Sequence, residues 1–229
     1  MAVLPRHCTR SIFSVVCVLL LAAAPALAQD ITKVAPTGIK VVFENDQVRV
    51  LDVVTQPGST MAVHSHPAMM VVTLTPGTTR FTSTTGKTET VGADAKRGAG
   101  TYRPAESHAS ENVGKAASHV FLIEFKQPAP EANKARHPSL PAPYKHVSEN
   151  AHAVQFELVV SPGGSVPAHT HGNHVLVALA DATAEITNQD GTKQTMNLVK
   201  DTAQYQTPVT HSAVNTGKTT LHLIVVELK

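Results

Sequence analysis

Two histidine pairs, His64-Ser65-His66 and His169-Thr170-His171, carry the first chemistry legible in this chain. On a strand, residues i and i+2 share a face and stand roughly 6.5–7 Å apart along the chain. Two imidazoles converging from there can reach one cation at about 2.0–2.2 Å each. They need a third donor from another strand. His108 and His211 are the candidates, since each follows a proline by a few residues and precedes an asparagine by four. Three ligands on one cation would bring the nearest ring nitrogens to about 3–4 Å of one another. One His-x-His pair would mean little among 13 histidines. Two pairs, each preceded by Pro-Gly at the same distance and followed by an apolar run of strand length, mark a metal-ligating pattern used twice.

The whole chain repeats around these pairs. Lys40–Gln127 resembles Lys145–Lys229. At an offset of 105, Glu44-Asn45, Pro57-Gly58, His64, His66 and Gly86 meet Glu149-Asn150, Pro162-Gly163, His169, His171 and Gly191. Two residues are then lost from the second copy near Asp94–Gly100. At 103, Tyr102, His108, Asn112, Gly114-Lys115, His119, Glu124 and Lys126 meet Tyr205, His211, Asn215, Gly217-Lys218, His222, Glu227 and Lys229. A constant offset with one small gap implies two structural units. Between them, Gln127 to Tyr144 holds five prolines and reads as a semi-rigid linker. The domains expected are therefore 40–127 and 145–229, with an arm over 29–39 and a linker over 128–144.

Each copy reads as strands. Val48–Val54 and Val154–Val160 are β-rich and end at Pro-Gly turns, and Thr85-Gly86 and Asp190-Gly191 mark hairpins. Long stretches of helical period are missing, so the fold class expected is all-β. In the last strands, alternation places His119, Phe121, Ile123 and Phe125 on one face and Glu124 and Lys126 on the other. The apolar face, with His119 and His222, is expected to point inward.

Residues 1–28 read as an export signal. Arg6 and Arg10 precede an apolar run from Ile12 to Ala24, and Ala26-Leu27-Ala28 gives a small-x-small cleavage pattern before Gln29. The run is too short for a stable membrane anchor, so the expected location is secreted or periplasmic. Cys8 and Cys17 leave with the leader, and any metal must then be held by nitrogen and oxygen donors. Basic and acidic residues balance in the mature chain, which gives no electrostatic reason to expect nucleic acid.

The repeated motifs resemble the cupin superfamily, whose first motif runs Gly, five residues, His-x-His, three or four residues, Glu, six residues, Gly. Gly58, His64, His66 and Gly77 fit it, as do Gly163, His169 and His171. The second motif runs Gly, five residues, Pro-x-Gly, two residues, His, three residues, Asn. Gly98, Pro104, His108 and Asn112 fit in copy one, and Pro208, His211 and Asn215 in copy two. The resemblance implies two tandem double-stranded β-helix (jelly-roll) barrels, a bicupin. The family's glutamate ligand falls at Met70 and Val175, and the Pro-x-Gly turn is altered in both copies, with Glu106 at the glycine position in the first. The ligand sets carried over are therefore three histidines each, as in a subgroup of ferrous dioxygenases.

Three neutral imidazoles leave a divalent charge uncompensated and coordination positions open, which favours a small anionic ligand. Fe, Mn, Zn and Cu are the candidate ions. Fe(II) is hard to keep reduced outside the cytoplasm, and no carboxylate is evident as an acid or base. A dioxygenase-like oxidoreductase, a Mn- or Zn-dependent lyase or isomerase, and a binding module without turnover all remain open, as does a homodimer. His174, three after His171 where copy one has Met69, is a fourth nitrogen ligand, making copy two the tighter site, or a titratable base behind the ligands, or a polar group at a strand start. Tyr102 and Tyr205 either hydrogen-bond a ligand or pack in a wall. Asn112 and Asn215 read as turn residues, and His137, His146 and His152 as surface groups.

Overall fold

A computed structural model gives the architecture of residues 29–35, 37–127 and 139–229. The export signal, and the linker over 128–138 with His137, fall outside these described residues. From the arm come β1 (Gln29–Asp30) and one helical turn, α1 (Ile31–Val34). Copy one supplies β2 (Ile39–Glu44), β3 (Val48–Thr55), β4 (Thr60–His66), β5 (Met69–Thr75), β6 (Thr79–Ser83), β7 (Thr88–Val91), β8 (Gly100–Arg103), β9 (Glu106–Asn112) and β10 (Ser118–Phe125). Copy two supplies β11 (Lys145–Glu149), β12 (Ala153–Val160), β13 (Ser165–His171), β14 (His174–Ala178), β15 (Ala182–Asn188), β16 (Lys193–Leu198), β17 (Thr202–Gln206), β18 (Val209–Asn215) and β19 (Leu221–Leu228). The protein is all-β, as the alternating Val- and Thr-rich runs require.

Each copy closes two sheets into a barrel. In barrel 1 the orders are β1-β4-β9-β6-β7 and β2-β3-β10-β5-β8, and in barrel 2 β13-β18-β15-β16 and β11-β12-β19-β14-β17. The Pro-Gly turns put Gly58 and Gly163 at φ 75° and 77°, a conformation that favours glycine. Asn112 and Asn215 do more than turn the chain. Each is buried. Asn112 Nδ2 donates to Thr55 O (2.9 Å) and Ala116 O (3.0 Å), while its Oδ1 accepts from Gly114 N. Asn215 makes the same bonds to Val160, Thr219 and Gly217.

The barrels share a core. Phe121, Ile123 and Phe125 of β10 pack with Val175, Val177, Ile224, Val226 and Leu228 of barrel 2. Phe43 stacks on Tyr205 at 4.5 Å and Phe125 on His152 at 4.7 Å. Arg97 reaches Leu179 O (2.9 Å) and Asp201, and buried Gln155 donates to Gly98 O (3.1 Å).

This corrects one expectation. The apolar faces of β10 and β19 point at the other barrel, not into their own. The barrel interiors receive Val120, Leu122 and Glu124, and Leu221, Leu223, Val225 and Glu227. His119 and His222 sit half-buried on the outer face, bonded to Asp52 (2.6 Å) and Glu157 (2.8 Å). A sheet buried on both sides is apolar on both, so apolarity alone does not say which face is inside.

Candidate metal centres

Local irregularity aims the histidines. Register shifts between Met61 and His64 in β4, and between Val166 and His169 in β13, mark bulges. A bulge breaks the two-residue period, so Met61 and His64, three apart, are both buried, as are Val166 and His169. His64 then pairs directly across from His108, and His169 from His211. The outcome is two convergent sets: His64, His66 and His108, and His169, His171 and His211. In each set one ligating atom per residue lies within 4.8 Å of the others.

The ring tautomers are fixed by neighbours. His64 Nδ1 donates to Ala62 O, and His169 Nδ1 to Pro167 O, both at 2.7 Å. His66 Nδ1 meets Glu124 Oε1 at 2.7 Å, and His171 Nδ1 meets Glu227. With Nδ1 carrying the proton, each Nε2 offers a lone pair, which is how ligating histidines are held in metal sites. Burial, then the neighbouring rings, pushes His108 and His211 down to about 4. Burial also holds His64 and His169 below the ordinary histidine value. Imidazoles converging on a shared centre, four of them oriented through Nδ1, fit a divalent transition metal.

Glu124 and Glu227, matched by the repeat but given no role from the sequence, are buried and complete the sites. Glu124 also accepts from Arg49 Nε (2.6 Å), and Arg49 Nη2 donates to Asp30 (2.6 Å). Burial opposes the charge on Asp30, yet Arg49 and Thr32 hold it down to about 2. The arm is thus tied to His66 through three charged groups. Copy two has Val154 at the arginine position, and Gly172 N donates to Glu227 instead (3.0 Å).

Met70 and Val175, at the family's glutamate position, lie in the core between the barrels. The side chains facing the sites are Met69 and His174, one residue earlier. His174 stacks on His171 at 4.3 Å and gathers with His171 and Glu227 in a second group. Tyr102 and Tyr205 lie away from both sites, beside His152 and on Phe43. His146 is exposed.

The two sites differ most in space. Barrel 1 holds a cavity of about 410 Å³ beside its triad, and barrel 2 one of about 40 Å³. Matched positions explain this. Val53, Val71, Val91, Ala93, Ser118 and Val120 line the first, and Leu158, Leu176, Met196, Leu198, Leu221 and Leu223 fill the second. Ile31 of the arm, Met61, Met69, Phe81 and Leu122 make the rest of the first cavity largely apolar. Its cation, Arg103, is engaged by Glu106 and Glu89 and lies 4.5 Å over Phe81.

No protein-family model and no curated protein sequence matches the chain. Solved structures match its shape. AerE from Microcystis aeruginosa superposes with TM-score 0.54 at 14% identity, over 83% of this chain and 97% of that one. A cupin 2 conserved barrel domain protein from Leptotrichia buccalis gives 0.51 at 11%, over 83% and 88%. The oxalate decarboxylase of Bacillus subtilis, a protein with Mn(II) centres, gives 0.52 at 13%, over 80% and 69%. At such identities the likeness speaks for fold alone, and the fold of this chain is that of the tandem cupins, two barrels in one polypeptide.

Proposed function

We propose that the chain is an exported metal-binding bicupin whose barrel 1 is a metal-dependent oxidoreductase site for a small organic anion. The observation that carries this reading is the 410 Å³ cavity opening on three convergent histidines, of which His64 and His66 are oriented through Nδ1. His64, His66 and His108 would hold a divalent transition metal, which when bound supplies positive charge and open coordination positions. The apolar lining would hold the body of the ligand and exclude water. Arg103 is already neutralised by two glutamates, so the metal is the main attraction for an anionic group. Chemistry that needs the protein to move a proton calls for a free acid or base beside the ligand. Glu124 is tied to Arg49 and His66, and Glu106 to Arg103. That leaves Asp94 as the lining carboxylate without such a tie. Redox chemistry at a metal asks less of the side chains, and this favours it.

A lyase reading rests on Asp94 and on the shared fold with a Mn(II) decarboxylase. The two separate in one experiment. Protein loaded with Fe(II), Mn(II) or Cu(II) is offered small carboxylates, enolates and thiols with apolar bodies, while dissolved oxygen and substrate loss are recorded. Oxygen uptake that His108→Ala abolishes supports the oxidoreductase. Substrate loss without oxygen uptake supports the lyase, and ligand binding without either reduces barrel 1 to a binding module.

A further inference from the structure

The oxygen donor missing from the second triad comes from a residue just ahead of β11. Tyr144 Oη lies 3.2 Å from His169 Nε2 and 3.3 Å from His171 Nε2, and those nitrogens are 2.9 Å apart. The three atoms form a nearly equilateral triangle. Donors held at about 2.0–2.2 Å from one ion are spaced roughly 3–3.5 Å apart, so this triangle has the dimensions of one face of a coordination shell. The electrons point the same way. Both histidines spend their Nδ1 protons elsewhere, on Pro167 O and on Glu227. In neutral rings the two Nε2 lone pairs then face one another at hydrogen-bond distance, and the single hydroxyl proton of Tyr144 can satisfy only one of them. A cation at the centre resolves that conflict for all three atoms.

We infer that barrel 2 carries a closed metal centre of three histidines, His169, His171 and His211, and one phenolate, Tyr144, with no position reserved for substrate. Binding releases the phenol proton to solvent and forms one metal–oxygen bond, because only the deprotonated oxygen is a strong ligand. The small cavity agrees, since the leucines that fill barrel 2 leave no room for an organic ligand. At the repeat offset, Tyr144 meets Ile39, so barrel 1 has no equivalent oxygen and stays open. His174 gathers with His171 and Glu227 in a separate group, and the inferred centre takes its fourth donor from Tyr144 rather than from His174.

The test is titration of the full metal-free protein with Cu(II), followed by visible absorption. A phenolate bound to Cu(II) gives a charge-transfer band that imidazole ligands alone do not. The wild type and a His64→Ala/His66→Ala/His108→Ala variant should both show the band, which places it in barrel 2. Tyr144→Phe should lose the band and weaken one binding step at least about tenfold, with circular dichroism unchanged. His174→Met should keep the band. A wild type without the band, or a band surviving Tyr144→Phe, overturns the inference, as does loss of the band in the barrel 1 variant while its circular dichroism is unchanged. Ligand and oxygen assays on barrel 1 are read separately, so either reading can fail alone.

Discussion

Glu124 is the residue that turns a histidine pair into a positioned one. Its carboxylate accepts a hydrogen bond from His66 Nδ1 and is itself held by Arg49. Outer partners of this kind set ligand orientation, and losing one costs roughly 10–100-fold in metal affinity. Glu124→Gln should therefore weaken metal binding in barrel 1 by about that factor and leave barrel 2 unchanged, as read by calorimetric titration of each site. Protonation makes a second residue-scale prediction. His108 and His211 are pushed down to about 4 in the folded protein, first by burial and then by the adjoining rings. In the unfolded chain histidine titrates near 6.5. Between these values the unfolded state binds more protons, so metal-free protein should lose stability as pH falls from about 6.5 to 4. The denaturant midpoint at pH 7 and pH 5 checks the sign. A His108→Gln/His211→Gln variant should show a shallower dependence.

At the scale of elements, the loops that return to the barrels hang on two asparagines. Asn112→Ala removes three hydrogen bonds and leaves the Thr55 and Ala116 carbonyls without that partner. A loss of about 1–3 kcal/mol is expected, read as a lowered melting temperature. The strands, hairpins and repeat were legible because the offset is constant and each copy keeps its Pro-Gly and Asn-x-Gly signals. The inward set was less so. Bulges shift the histidines by one residue against the strand period, and both faces of β10 and β19 are buried, so alternation alone puts His119 on the face expected inward and Glu124 on the opposite one. Tyr144 gave no motif at all, since its role comes from where the chain enters β11. The contrast in cavity size, however, was present as paired small and large residues at the two offsets. Importing two of the copy-two side chains with Val53→Leu and Ala93→Leu should narrow the barrel 1 cavity and weaken binding of a carboxylate ligand while metal affinity is retained, as measured by titration of the metal-loaded variant.

The whole molecule is two barrels welded through one core, with Arg97 and Gln155 bridging them. Such a chain should melt in a single transition. Gly98→Val should split or lower it, because Gly98 has φ +81° and a Cβ there would sit 2.8 Å from Leu179 Cδ1. Differential scanning calorimetry reads this directly. The division of labour, an open site in one barrel and a closed one in the other, follows from side-chain volume at matched positions and from the arm and pre-β11 segments that precede each barrel. All of it depends on both triads holding metal. Elemental mass spectrometry of the protein purified from its native compartment tests that claim most directly, alongside a His64→Ala/His66→Ala/His108→Ala variant made the same way. The account predicts about one transition-metal ion per barrel in the wild type, falling by the barrel 1 share in the variant. A wild type free of transition metal, or a variant that retains the full content, would contradict it.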